Sequence, residues 1–360
     1  MKRIAISNQK GGCGKTTTAI NLSGALASLG KRILLIDLDP QAHASFGLGV
    51  SSQIVDKAIY NVLTDGPEKK RAIEECISKA AENLDVVSSN ILLSTLEQEL
   101  KDKEDAVSKL YQALSTDKLN YDYIIIDCPP SLGFLTFNAL RAADLVIVPI
   151  DMSAFSLMGV SKLLGMLELI KIKINHAPAV NALATLFDKR TKYSQTMLDE
   201  IKMFFRDQML QTVIRISVAL KRAVSQGVSV VQFDRESNGA KDYLALAQEL
   251  LRADVALEFE KAMAQAPAAK EAEVAPRKVA FAIAAPNAKE VHLVGDFNHW
   301  RIDGESRLSR LDDGRWGKEL DLSSGRYRYK FVVDGEWMLD SQNNEREPNA
   351  FGTFDSVKMF

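Results

Sequence analysis

Asn8-Gln9-Lys10-Gly11-Gly12-Cys13-Gly14-Lys15-Thr16-Thr17 is the stretch that decides the fold of this chain. An apolar run at 4–6 precedes it and a helical pattern at 17–29 follows. Strand, glycine-rich loop and helix in that order form a phosphate cradle. The glycines let backbone N–H groups close around phosphate oxygens, and the helix N-terminus adds positive potential. Gln9 stands where the plain Walker A pattern has its first glycine, so the motif reads Lys-Gly-Gly-x-Gly-Lys-Thr, with Lys10 as a second lysine. Lys15 is spaced to reach the β and γ phosphates, and the Thr16 hydroxyl to ligate Mg2+. The expected nucleotide-binding set is Lys10, Gly11, Gly12, Cys13, Gly14, Lys15, Thr16 and Thr17.

Working outward, three more short runs rich in β-branched residues (33–36, 123–126 and 145–149) read as buried strands. Helical patterns lie among them, including one at 155–170. This alternation predicts an α/β fold, a mostly parallel sheet flanked by helices. Ligands bind beyond the carboxyl ends of such strands. Asp37 and Asp39 fall there, after Leu34-Leu35-Ile36, as does Asp127, after Ile124-Ile125-Ile126. Asp127 is the Walker B carboxylate, expected to hold the metal through water. Asp37 is read as serving the metal's outer shell, orienting Lys15, or capping the next turn.

Apolar content of 46% and charged content of 26% are ordinary for globular protein. A net charge of −2 creates no global field to attract nucleic acid, so such binding must rest on a local patch. Cys13, Cys76 and Cys128 lack paired or metal-ligand spacing, which suits a reducing compartment. No apolar run approaches the length of a membrane span. Neither end carries a basic amphipathic helix, and the first residues enter a strand rather than a signal peptide. The expectation is a cytoplasmic chain without membrane attachment.

A helix-rich stretch is expected to continue to about residue 263. Residues 265–277 are Ala, Pro, Glu and Lys without apolar periodicity, a linker. Beyond it, strand-like runs at 279–284, 291–295 and 327–333 are separated by Asp313-Gly314, Ser324-Gly325 and Asp334-Gly335. That pattern predicts a small all-β sandwich. The expected organisation is therefore a nucleotide-binding domain at 1–264, a linker at 265–277 and a sandwich at 278–360.

Residues 1–255 resemble the ParA/Soj family of P-loop partition ATPases, within the class that includes MinD. The resemblance is carried by 8–18, Leu35-Ile36-Asp37-Leu38-Asp39-Pro40-Gln41, Ile126-Asp127-Cys128-Pro129-Pro130-Ser131 and Gly239-Ala240-Lys241-Asp242-Tyr243. It implies weak intrinsic ATP hydrolysis, with ATP and Mg2+ as cofactors, in an ATP-dependent homodimer. Lys10 would cross to the partner's phosphates as an activating finger, Lys15 would act on the phosphates of its own site, and Asp39 would position the attacking water. Thr16, Asp39 and Asp127 are the implied metal-site residues. The resemblance further implies a ParB-type activator, nonspecific DNA binding and association with the nucleoid. Arg190 aligns with a DNA-contacting arginine of the family, flanked by Lys189 and Lys192. The second arginine position falls on Ala219, with Lys221 and Arg222 close enough in sequence to substitute, since nonspecific binding depends on phosphate neutralisation. The competing reading of these cations is a solvated helix face. At the base site the usual Ile-Pro-Arg-Asn is Ile214-Arg215-Ile216-Ser217. No helix-turn-helix precedes the loop, so autorepression is not expected.

Residues 278–360 resemble the glycogen-binding module of the AMP-activated kinase β subunit, a family 48 carbohydrate-binding module. The matching runs are Val291-His292-Leu293-Val294-Gly295-Asp296-Phe297-Asn298-His299-Trp300 and Tyr327-Arg328-Tyr329-Lys330-Phe331-Val332-Val333-Asp334-Gly335-Glu336-Trp337. This resemblance implies an immunoglobulin-like sandwich that binds α-glucan. Trp300 and Trp337 would stack on sugar rings, Lys330 and Thr353 would bind hydroxyls, and Phe351 replaces the family's threading leucine. Asp355 replaces an asparagine; it accepts hydrogen bonds but cannot donate as an amide does. The competing reading puts Trp300 and Trp337 in the core, for which Trp316 is the better candidate. Three functions follow: a partition ATPase whose tail is a glucan-cargo adaptor or sensor, a chromosome or plasmid segregation ATPase whose tail binds proteins, and a glucan-associated scaffold switched by ATP.

Overall fold

Side chains along a strand point alternately to its two faces, and the early runs are apolar on both. Leu34 and Ile36 enter one core and Ile33 and Leu35 the other; Ile124 and Ile126 likewise oppose Tyr123 and Ile125. Strands of this kind require cover on both sides, the condition met by a parallel sheet between helical layers. The computed structural model describes residues 1–50, 56–154, 156–265, 276–349 and 352–359. It divides into two units, Met1–Phe259 and Glu260–Phe360.

The strands of the first unit are β1 (Lys2–Ile6), β2 (Ile33–Asp37), β3 (Ile77–Ala81), β4 (Leu84–Val87), β5 (Tyr123–Asp127), β6 (Leu145–Asp151), β7 (Ala179–Phe187) and β8 (Met209–Arg215). They form one sheet in the order β3-β4-β2-β5-β1-β6-β7-β8, parallel throughout except where β3 meets β4. The helices are α1 (Lys15–Ser28), α2 (His43–Gly47), α3 (Ile59–Leu63), α4 (Leu96–Glu99), α5 (Lys109–Ala113), α6 (Phe134–Ala142), α7 (Ser156–Ile174), α8 (Lys192–Phe205), α9 (Val218–Ser225), α10 (Val230–Phe233) and α11 (Asn238–Gln265). One core takes Leu22, Leu220, Val230 and Tyr243 from α1, α9, α10 and α11. The other takes Ile59, Leu140, Leu163 and Ile201 from α3, α6, α7 and α8. Register then builds the site: Asp127 is the lateral partner of both Ile6, the last residue before the loop, and Asp37.

The stretch expected to be helix-rich up to residue 263 also contains β7 and β8, a correction to the sequence reading. β7 is built on Ala179, Ala182 and Ala184, residues of low strand propensity. Pairing with β6 and β8 on its two sides overrides that local preference.

The chain just after α2, which follows Asp37 and Asp39, meets the chain just after α9 at two glycines, Gly49 and Gly227. Gly227 has φ +69°, and a Cβ there would lie 2.9 Å from Gly49 Cα and 3.1 Å from Gly49 N. Gly227→Ala combines backbone strain with a clash against main chain. It is expected to cost about 1–3 kcal/mol of stability, read as a lowered denaturation midpoint of the first unit.

The second unit holds β9 (Arg277–Ile283), β10 (Val291–Gly295), β11 (Ser309–Arg310), β12 (Trp316–Leu322), β13 (Arg326–Val333), β14 (Glu336–Met338), β15 (Arg346–Pro348) and β16 (Phe354–Met359). One sheet runs β10-β13-β16-β15 with β14 also on β13; the other runs β11-β12-β9. Phe281, Trp316, Tyr329 and Phe331 fill the space between them, and Tyr329 meets Phe281 edge to face at 4.9 Å. Asp334-Gly335 closes the two-residue hairpin between β13 and β14, where Val333 pairs Glu336. Most of the expected linker, 266–275, lies outside the described residues, as does Phe351.

Candidate functional site

Gly12 and Gly14 take φ of +76° and +92°, left-handed values open to glycine at little cost, and Gly14 caps α1. The loop is braced from both sides. Asn8 Nδ2 donates to Pro149 O at 2.7 Å while its Oδ1 accepts from Lys10 N at 3.1 Å. Thr185, on β7, donates through Oγ1 to Cys13 O at 2.8 Å. Burial pushes the Cys13 thiol above its usual range, and its Sγ donates to the Lys10 carbonyl at 3.2 Å. The Lys15 ammonium donates to the Lys10 carbonyl at 2.9 Å, turned back over the loop.

The Lys10 ammonium is held within its own chain. Both Asp151 oxygens accept from it, at 2.7 and 2.8 Å, and Ser153 Oγ is a third partner. Asp151 and Ser153 were not identified from sequence. The available signal was Asp151 as the last residue of an apolar strand, the position Asp37 and Asp127 also occupy.

Both Asp127 carboxylate oxygens are buried with no hydrogen-bond partner of good geometry. Burial drives this carboxyl well above the usual range, the neighbouring Asp37 adds to the shift, and the Thr16 hydroxyl opposes it. Asp37 is pushed up to about 6, chiefly by burial, although Ser45 N and Oγ donate to its Oδ2 at 2.8 and 2.7 Å. These bonds tie Asp37 to the first turn of α2. Asp39 is nearly buried, and its Oδ1 accepts from Gln41 N at 3.0 Å. Two adjacent buried carboxylates, one without partners, are costly in an apolar interior. A divalent cation removes that cost, so Thr16 and Asp127 fit Mg2+.

β7 and β8 are parallel neighbours whose carboxyl ends lead into α8 and α9, helices that pack on opposite faces of the sheet. Lys189, Arg190 and Lys192, at the entry to α8, and Lys221 and Arg222, within α9, are all exposed. Arg190 is 80% exposed and chelates Asp188 at 2.7 and 2.8 Å, which lowers the Asp188 carboxyl to about 2. Arg222 lies over the Phe233 ring at 5.3 Å. Ala219 is half-buried on the same helix. In the departing base-site segment, Arg215 pairs with Asp242 of α11, which ties β8 to that helix.

In the second unit, a cavity of about 1010 Å3 is lined by Trp300, Arg328, Lys330, Trp337, Phe354 and Asp355, among others. Trp300 and Trp337 face each other with ring centroids 6.4 Å apart and planes 27° apart. Trp337 is 51% exposed, whereas Trp316 is in the core, which removes the reading of Trp337 as a core residue. His299 and Trp300, which follow the turn at 296–298, both hold left-handed φ, 54° and 61°. Trp300 Nε1 donates to Asp296 Oδ1 at 3.1 Å, and Arg328 donates to the same carboxylate. Against the effect of burial, hydrogen bonds from Arg328 and Trp300 hold Asp296 below the usual carboxylate range. Lys330 pairs with Asp355 at 3.1 Å and donates to Thr353 Oγ1 at 3.2 Å. Arg328, Asn349 and Phe354 were missed as lining residues; Phe354, an aromatic beside the predicted Thr353 and Asp355, was the readable one.

Residues 1–180 match the model of the AAA domain, and residues 281–356 that of the glycogen recognition site of AMP-activated protein kinase. The sporulation initiation inhibitor protein Soj of Bacillus subtilis is 43% identical over 250 residues, 69% of this chain and 98% of that one. The chromosome partitioning protein ParA of Myxococcus xanthus is 39% identical over 253 residues, 70% of this chain and 88% of that one. Among solved structures, a cobyrinic acid a,c-diamide synthase from Mycobacterium smegmatis, with bound ADP and magnesium, is 31% identical. It superposes with a TM-score of 0.61 over 70% of this chain and 94% of its own.

Proposed function

This chain belongs to the ParA/Soj family of P-loop partition ATPases, and on that premise we propose that it is an ATP-switched dimer that binds DNA and positions a glucan cargo through its C-terminal module. ATP and Mg2+ are its cofactors. The observation that carries the catalytic part is the convergence of the loop, Asp37, Asp39 and Asp127 at one sheet edge, with the Asp127 oxygens unpartnered. Thr16, Asp39 and Asp127 would hold Mg2+, which when bound would neutralise charge on the phosphates. Lys15 leaves the Lys10 carbonyl for the phosphates of its own site. Lys10 leaves Asp151 and Ser153 to reach the phosphates of a second copy, where it stabilises charge that develops in transfer. Asp39, fixed by Gln41 N, orients the attacking water. A partner of the ParB type would stimulate turnover. Location in the cytoplasm, on the nucleoid, follows from this reading. The sequence-based domain limits, 1–264 and 278–360, are kept within it.

DNA binding is supported by the five exposed cations that follow β7 and β8. Their expected signature is ATP dependence and strong salt dependence. Combining Arg190→Ala with Lys221→Ala and Arg222→Ala is expected to weaken ATP-dependent binding to a duplex at least tenfold at 0.1 M salt. It should also reduce the salt slope by about 2 to 3 per subunit. Anisotropy titrations across a salt series check both. Binding that is unchanged in the triple variant removes the nucleoid from the account and leaves the glucan-associated scaffold switched by ATP. The paired tryptophans lining one cavity, Trp337 exposed and Trp300 half-buried, favour sugar over protein as the ligand of the tail. The alternative, a segregation ATPase whose tail binds protein, predicts no response to glucan.

A further inference from the structure

The glucan cavity contains two cations, and each is cancelled by an aspartate. Lys330 and Asp355 form an ion pair whose side chains are only 10% and 5% exposed. Asn349 Nδ2 adds a bond to Asp355 Oδ1 at 2.7 Å, and Thr353 Oγ1 accepts from Lys330. On the other side, the Arg328 guanidinium meets Asp296 at 3.3 Å, and the Arg328 N–H donates to the same carboxylate at 2.9 Å. Neither cation faces the cavity uncompensated. Phosphate or carboxylate on a sugar would give up its hydration at a site whose cations are already paired, with no free counter-charge to offset that cost. Discrimination of this kind rests on a desolvation cost against the wrong ligand as well as on attractive contacts to the right one.

Resting on the reading of this cavity as a glucan site, we propose that Asp355 and Asp296 are specificity residues that make the cavity select an uncharged glucose polymer over phosphorylated or uronate-bearing ones. Asp355 stands where the resembled module has an asparagine, so the discrimination belongs to this chain's own sequence. The aromatic faces of Trp300, Trp337 and Phe354 supply affinity without regard to charge; the two aspartates supply the choice.

The test uses the full chain and two probes, maltoheptaose and maltoheptaose carrying one 6-phosphate, titrated by calorimetry in low salt. The readout is the ratio of the two dissociation constants, whatever the absolute affinity of a variant. The wild type is expected to disfavour the phosphorylated probe at least tenfold. In Asp355→Asn the ratio is expected to fall below threefold. If that variant does not fold, Asp296→Asn carries the test, because its amide oxygen still accepts from Trp300 Nε1; its ratio should fall in the same direction. Equal binding of both probes by the wild type, or an unchanged ratio in the folded variant, overturns the proposal and leaves the glucan reading standing. Binding of neither probe overturns the glucan reading and this inference with it.

Discussion

Lys10→Ala is expected to lower ATP turnover by the full chain about 1000-fold or more, the scale lost when a finger residue is removed from phosphoryl transfer. Two lysines serve the loop, and their partners differ. Lys15 rests on the Lys10 backbone carbonyl, which alanine at position 10 retains, so the contact that positions Lys15 survives the substitution. Lys10 itself rests on Asp151 and Ser153, a side-chain pairing that alanine abolishes. The substitution therefore falls on the turnover step, while Lys15→Ala should fall on nucleotide binding. Phosphate release and nucleotide affinity, measured on both variants, separate the two roles. Turnover by Lys10→Ala within threefold of wild type would remove the finger from the account.

The second large effect is expected at the other end of the chain. Trp300→Ala with Trp337→Ala should weaken binding of maltoheptaose by the full chain at least about 30-fold. The two rings form one platform, and each ring lost from an aromatic stacking surface costs about 1–3 kcal/mol; two together correspond to roughly 30-fold to 10⁴-fold. Trp337 is half-exposed and neither ring joins the core built on Phe281, Trp316 and Tyr329, so the fold should persist. A near-ultraviolet spectrum and the denaturation midpoint check that it does. Undiminished glucan binding in the folded double variant would place the sugar elsewhere on the module.

The nucleotide edge was legible because its chemistry is local. The loop motif, Asp37, Asp39 and Asp127 each sit next to a short run of buried apolar residues, and strand register then brings Asp37 and Asp127 together. Partners supplied from a distance were not legible. Asp151 reaches Lys10 from 141 residues away and Thr185 reaches Cys13 from 172, with no periodicity linking either pair. β7 was obscured by its alanines, which signal a strand only once β6 and β8 flank it. In the sandwich the resemblance singled out Trp300 and Trp337, which the structure pairs in one cavity. The compensation of Lys330 by Asp355 and of Arg328 by Asp296 was not legible, because pairing across strands depends on which face each side chain takes.

The central claim is that Lys10 acts on the nucleotide of a second copy. Mixing Lys10→Ala with Asp39→Ala tests it directly. Each parent is expected to be nearly inactive, one lacking the finger and the other the group that orients water. In a mixed dimer the Lys10→Ala subunit keeps Asp39 and receives Lys10 from its partner, which completes one of the two sites. Equimolar mixing with random pairing should therefore restore turnover to about a quarter of wild type. A mixture no more active than the sum of its parents would contradict the account and assign Lys10 to its own subunit's site.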